Sequence, residues 1–311
     1  MRNITMALCL GTTVLTATAA WATDPTSCAT VTMSDLAWTD IMLTNTTAEV
    51  ILTALGYAPK QKVLGLDVSF VALREGDIDI FQGNWRPVQN EQYKQFFDDG
   101  SVEVLGQNLA GAKFTLAVPD YVAAAGVKSY GDLAAHADKF DSKIYAIEPG
   151  SNQPLLDMVA QDRHGLAGWS IVETSEAGML AQVERFVPDQ KWIAFLAWEP
   201  HPMNLTYKLT YLDGGDLEYG PNFGGATVHT LARRGYAAEC PNVAKFYSQL
   251  VFDLAYENVG MQKITGEGLT PADAATAMIT ARPELLEGWL KDVTTLDGQP
   301  GLPVVKAALG L

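Results

Sequence analysis

The chain has 311 residues, 48% of them hydrophobic, with 36 acidic against 21 basic residues and a formal net charge of −15. That length supports a large core and about two domains. The acidic balance argues against nucleic acid, because such a surface repels phosphates, and no second apolar run reaches the eighteen residues a membrane span needs.

Met1-Arg2-Asn3 is followed by an uncharged apolar stretch from Ile4 to Leu15 and by Ala20-Trp21-Ala22. A basic start, a short hydrophobic region and a small-x-small site predict a secretory signal peptide over residues 1–22. Cys9 lies inside this run after Leu8, without the small residue that precedes a lipoprotein cysteine. The exported chain keeps Cys28 and Cys240. In an oxidising compartment a single disulfide is the simple reading, two buried free thiols being the alternative.

Short β-branched runs then alternate with helical spacing to about residue 235, the pattern of an α/β protein. A strand is expected at Thr30–Ser34, then a helix through Leu43, Val50 and Ala54 that stops at Gly56. Lys62–Leu64 reads as a strand, Asp67–Leu73 as a helix ended by Gly76, and Asp77–Phe81 as a strand running into Asn84-Trp85. A helix near Gln89–Phe97 and a strand at Val102–Leu105 precede Gly111–Val118, a strand that carries the chain into a second domain. There the spacing predicts helices at Tyr130–His136, from Asn152 and at Ala177–Phe186, with strands at Lys143–Ile147, Trp169–Glu173 and Trp192–Leu196. Tyr207–Tyr211 is read as the return strand, and the chain is mostly helical from Asn242. The expected domains are 23–110 with 212–311, and 111–211. Two crossings between two lobes are the architecture of binding proteins that close by hinge motion.

Catalytic signatures are missing: there is no G-x-S-x-G, H-E-x-x-H, P-loop or G-x-G-x-x-G after a strand. The four histidines have no metal-ligand spacing, and Asp213–Glu218 misses the calcium-loop pattern. Neither an enzyme, a metal nor a cofactor is therefore expected. Trp38, Trp85 and Trp198 stand at junctions of strand-like and turn-like sequence, with Asp40 two residues after Trp38. Separated aromatic faces near a carboxylate suit a quaternary ammonium, which offers no N–H donor and is attracted to ring faces. Trp169, Trp192 and Trp289 are expected in the core.

The segments SDLAWTDI, LGLDVSFVALREGDIDIFQGNWRP, YAIEPGSN and AWEPHPMN, in that order, resemble the ligand-site segments of periplasmic glycine betaine and choline binding proteins of bacterial ABC importers. The resemblance to the choline branch runs over the mature chain and includes the Cys28 and Cys240 pair. It implies a type II periplasmic-binding-protein fold with two hinge strands, a ligand cleft between lobes and an importer permease as partner. It also implies a monomeric periplasmic protein that does not itself span the membrane. Trp38, Trp85 and Trp198 would be three walls of an aromatic box, and Phe114, where choline binders carry tyrosine, the fourth. Asp40 and Asn152 would address the choline hydroxyl, Asp40 repelling the carboxylate of a betaine. The rival guests are glycine betaine, carnitine or another betaine; an exported enzyme acting on choline or its esters is the rival of another class.

Overall fold

The computed structural model describes residues 23–311, so the expected signal peptide with Cys9 lies outside the described residues. Nine strands form one curled mixed sheet: β1 Thr30–Asp35, β2 Ala58–Val63, β3 Ile80–Arg86, β4 Val102–Pro119, β5 Lys143–Ala146, β6 Ser170–Glu173, β7 Phe195–Glu199, β8 Leu209–Tyr211 and β9 Gly225–Arg233. Their order is β2-β1-β3-β9-β4-β7-β5-β6, with β8 on β4.

That order repeats one pattern. In the first lobe β1 lies between parallel β2 and β3, and β3 meets β9 antiparallel. In the second, β5 lies between parallel β6 and β7, and β7 meets β4 antiparallel. The joint between the lobes is β4 itself. Its residues Val102–Lys113 pair with β9, Lys113–Ala117 with β7, and Ala117–Pro119 with β8. What the sequence divides into two strands, Val102–Leu105 and Gly111–Val118, is one strand of 18 residues with register shifts between Val104 and Ala112. The bulges absorb the bend, so pairing continues through Asn108 and Gly111.

Local chemistry sets most helix ends. Helix α1, Thr39–Ala54, stops before Gly56 at φ +89°, and α2, Leu66–Glu75, ends on Gly76 at φ +77°, left-handed positions that cost glycine nothing. Ser175, Asp253 and Thr270 each cap the helix that follows through a side-chain oxygen. The expected helix Gln89–Phe97 breaks at Tyr93 into Val88–Gln92 and Lys94–Asp98. Strand β3 begins later than predicted and runs through Trp85.

The C-terminal helices Leu254–Thr265 and Pro271–Ala281 pack on α1, so both ends of the chain complete the first lobe. Cys28 and Cys240 are bonded, with Cα atoms 5.7 Å apart. Beside them Asp24 accepts the amides of Asn242 and Val243 at 2.7 and 3.0 Å. Trp169 and Trp289 are buried and Trp192 is partly buried against the core.

Past Tyr207–Tyr211, the expected return strand, the chain keeps contacts with the β4 end and with residues that follow it. β8 pairs with Val118 and Pro119, and Asp213 exchanges backbone bonds with Lys128 and Tyr130. Glu218 meets Arg163 at 2.9 Å, so the chain keeps second-lobe partners up to Tyr219. In the segment that follows, Asn222, Phe223 and Gly224 all have positive φ.

Candidate functional site

In open α/β sheets ligands gather beyond the carboxyl ends of the strands. Both lobes obey this. In the first, β1 ends at Asp35, whose Oδ1 accepts the Ala37 amide at 2.7 Å, and the turn delivers Trp38 to the start of α1. Asp40 follows in the first turn of that helix, and Trp85 stands near the end of β3. Gly83 makes their approach possible: a Cβ there would lie 2.6 Å from Ile41 Cδ1. In the second lobe Trp198 sits near the end of β7, and the turn after β5 carries Ile147 and Ser151.

Trp38, Asp40, Trp85, Phe114 and Trp198 line one cavity between the lobes, joined by Tyr219 and Ser151. Phe114 is the hub of the rings. It is the direct cross-strand partner of Trp198, with centroids 6.3 Å apart at 48°, and it meets Trp85 at 6.1 Å and 53°. Tyr219 closes on it edge-first at 5.3 Å and 81°. Gly224 holds the backbone here, since a Cβ on it would collide with the Phe114 carbonyl oxygen.

The Trp38 indole N–H is taken by a carboxylate, which leaves its ring faces for a guest. Trp38 Nε1 donates to Glu148 Oε1 at 2.8 Å, which also accepts the Ser151 hydroxyl at 2.6 Å. Asp40 Oδ1 accepts the Ile41 amide at 2.8 Å. Burial, and next the Glu176 carboxylate, push the Asp40 carboxyl up to about 7; the Ile41 amide and the neighbouring Trp85 side chain pull it back. Glu148 is raised as well, mainly by burial. A cation entering this cavity meets a carboxyl on the edge of ionisation and several exposed π faces. The single basic residue among the lining side chains is Arg86, whose Nε donates to Asn84 Oδ1 at 2.9 Å while the guanidinium lies over Phe97.

Asn152 stands apart from the residues expected with it. It is fully buried but does not line the cavity. Its Nδ2 donates to the carbonyls of Ile147 and Glu148 and to Glu173 Oε1, at 2.8, 3.0 and 2.9 Å, so it fixes the turn that presents Ser151. Its Oδ1 has no protein partner. Asn204 likewise holds a loop, donating to the Trp198 and His201 carbonyls at 2.7 and 3.0 Å. Tyr219, Glu148 and Ser151 were missed by sequence reasoning. Glu148 and Ser151 lie within the segment YAIEPGSN, whereas Tyr219 reaches the cavity by packing edge-on against Phe114.

Residues 29–281 match the family model described as the substrate binding domain of ABC-type glycine betaine transport systems. A solved ABC-transporter choline binding protein in complex with choline is 50% identical, covers 92% of this chain and 100% of its own, and superposes with a TM-score of 0.91. The choline binding protein in an unliganded, semi-closed conformation has the same identity and coverage but a TM-score of 0.84. The chain as a whole therefore superposes better on the choline complex than on the unliganded protein. The lactococcal OpuAC complexed with glycine betaine, closed and liganded, is 25% identical over 84% of this chain and 99% of its own, with a TM-score of 0.76. The repeated strand order, the cleft between two lobes and the match over residues 29–281 place the chain in the family of substrate-binding domains of ABC-type glycine betaine transport systems.

Proposed function

We propose that the protein captures choline in the interlobe cavity and delivers it to the permease of an ABC importer. The observation that carries this is Asp40, buried beside Trp38, Trp85 and Trp198 with Phe114 between two of them. A quaternary ammonium has no N–H to give a carboxylate, so rings must supply contact; a desolvated cation over an aromatic face gains up to about 2 kcal/mol. Phe114 keeps that face without a hydroxyl. Asp40 adds the negative charge and an acceptor for the choline hydroxyl, and disfavours a carboxylate-bearing betaine. Asn152 acts from behind, by holding the turn that carries Ser151.

The partition we infer is a first lobe of residues 23–110 and 220–311 and a second of 111–219, with β4 and Gly220–Gly225 as the crossings. Export to the periplasm by a signal peptide over residues 1–22 and a monomeric state complete the reading. Among the described residues no helix is long and apolar enough to cross a membrane. An enzyme acting on choline esters would need a nucleophile with a positioned base. No lining side chain is Ser with a His partner: Ser151 donates to Glu148.

Glycine betaine is the second reading, favoured by Arg86 at the cavity edge. Calorimetric titration with choline, acetylcholine, glycine betaine and trimethylamine N-oxide separates the two. Choline first, with Asp40→Asn losing it, supports the proposal; glycine betaine first, with Arg86→Ala losing it, overturns it.

A further inference from the structure

We propose that Glu176 of the second lobe is a cap supplied in trans to helix α1, so that closing the cleft completes the helix that carries Trp38 and Asp40. The proposal rests on the reading of the protein as a hinged clamp. Helix α1 starts after Trp38, whose side chain makes no capping hydrogen bond, so its first amides need another acceptor. Glu176, 137 residues later, provides it: Oε2 accepts the Thr39 amide at 3.1 Å and Oε1 accepts the Thr39 hydroxyl. Glu176 is not needed at the head of its own helix, where Ser175 already accepts the Gly178 amide at 3.1 Å.

His201 sets the carboxylate in place. Its Nδ1 accepts the Met203 amide at 3.0 Å, which leaves the ring proton on Nε2, 3.2 Å from Glu176 Oε1. The same imidazole stands edge-on to Trp198 with centroids 5.0 Å apart. Thr39, Glu176 and His201 are all buried, and neither Glu176 nor His201 lines the cavity. One carboxylate thus ties the first-lobe segment bearing Trp38 and Asp40 to the second-lobe segment bearing Trp198, without touching the guest. A carboxylate at a helix N-terminus is favourable in itself. It also adds negative charge next to Asp40, so the closed arrangement needs a cation in the cage to be fully favourable.

Stopped-flow tryptophan fluorescence on the full mature protein tests this with Glu176→Ala, Glu176→Gln, Thr39→Val and the Glu176→Ala/Thr39→Val double variant. A charge-assisted bond of this kind predicts choline dissociation about tenfold faster in Glu176→Ala, with association little changed and partial rescue in Glu176→Gln. The double variant should release choline no faster than the faster single variant, because both remove one contact. Ligand-free melting of Thr39→Val should stay at the wild-type temperature, since the cap exists only when closed, whereas Glu176→Ala also loses its bond to His201 within the second lobe. Dissociation within about twofold of wild type, additive effects in the double variant, or a drop in ligand-free melting of Thr39→Val overturns the proposal. Interlobe single-molecule FRET without ligand is the second readout, with a smaller closed fraction expected in Thr39→Val. If wild type fails to bind choline, the choline reading falls, and this fraction alone decides the cap.

Discussion

Asp40→Asn should make the empty protein more stable and the binding protein worse. The carboxyl is displaced from 3.8 to about 7, chiefly by burial and then by Glu176. About three pH units at about 1.4 kcal/mol each amount to about 4 kcal/mol of folding free energy forfeited once Asp40 is ionised in the closed cleft. The sign follows from proton uptake. Between pH 4 and 7 the folded chain holds a proton that the unfolded chain releases, so stability falls as pH rises through that window, and below pH 4 nothing is lost. Asparagine cannot ionise, so the variant gains nothing at pH 4 and up to about 4 kcal/mol at pH 8, roughly 6 °C in melting temperature for a chain of this size. Opening of the empty cleft hydrates Asp40 and makes this an upper limit. A cation prefers the ionised form, so wild-type choline affinity should fall by up to about tenfold per pH unit below 7, approaching a hundredfold loss at pH 5. Asp40→Asn should bind weakly and with a flat pH profile. Differential scanning calorimetry and titration calorimetry at pH 5, 6, 7 and 8 measure both. Wild-type affinity that is flat over this range, or a variant that melts below wild type at pH 8 without ligand, refutes the reasoning.

Alanine at Trp38, Trp85 or Trp198 should each weaken choline binding by up to about thirtyfold, given up to about 2 kcal/mol per desolvated ring contact, as read by calorimetry. Gly224→Ala forces a positive φ on alanine and a collision with the Phe114 carbonyl. It should cost at least about 2 kcal/mol in denaturant melts and disturb binding with it, whereas Gly268→Ala, with open space around it, serves as the positive-φ control. Replacing Cys28 and Cys240 by serine opens a link across 212 residues and should cost about 5 kcal/mol on the chain-entropy account. Choline affinity should stay within about twofold, because neither cysteine lines the cavity, so binding well below saturation of the melt is the informative comparison.

Much of this site was legible because it is written in short segments. Trp38 and Asp40 follow β1 by a few residues, while Trp85 and Trp198 stand in the last residues of β3 and β7. Local rules are enough there: a strand, and a side chain at or just past its carboxyl end. The sequence puts Asn152 in the same segment as Ser151, but only the fold shows that its amide donates to the Ile147 and Glu148 carbonyls. Tyr219 had no local signal at all, since it reaches the cavity by packing on Phe114.

The sequence by itself determined the α/β alternation, the glycine ends of α1 and α2, the two cysteines available for pairing and the identity of the aromatic residues near Asp40. Each of these is a property of neighbouring residues or of compartment chemistry. Only the tertiary structure decided that β4 runs unbroken through both lobes, that Tyr219 packs on Phe114, and that Glu148 and Glu176 reach Trp38 and Thr39 across the cleft. Those contacts join residues 110 and 137 positions apart. Sheet order and closure bring them together, and no local propensity encodes either.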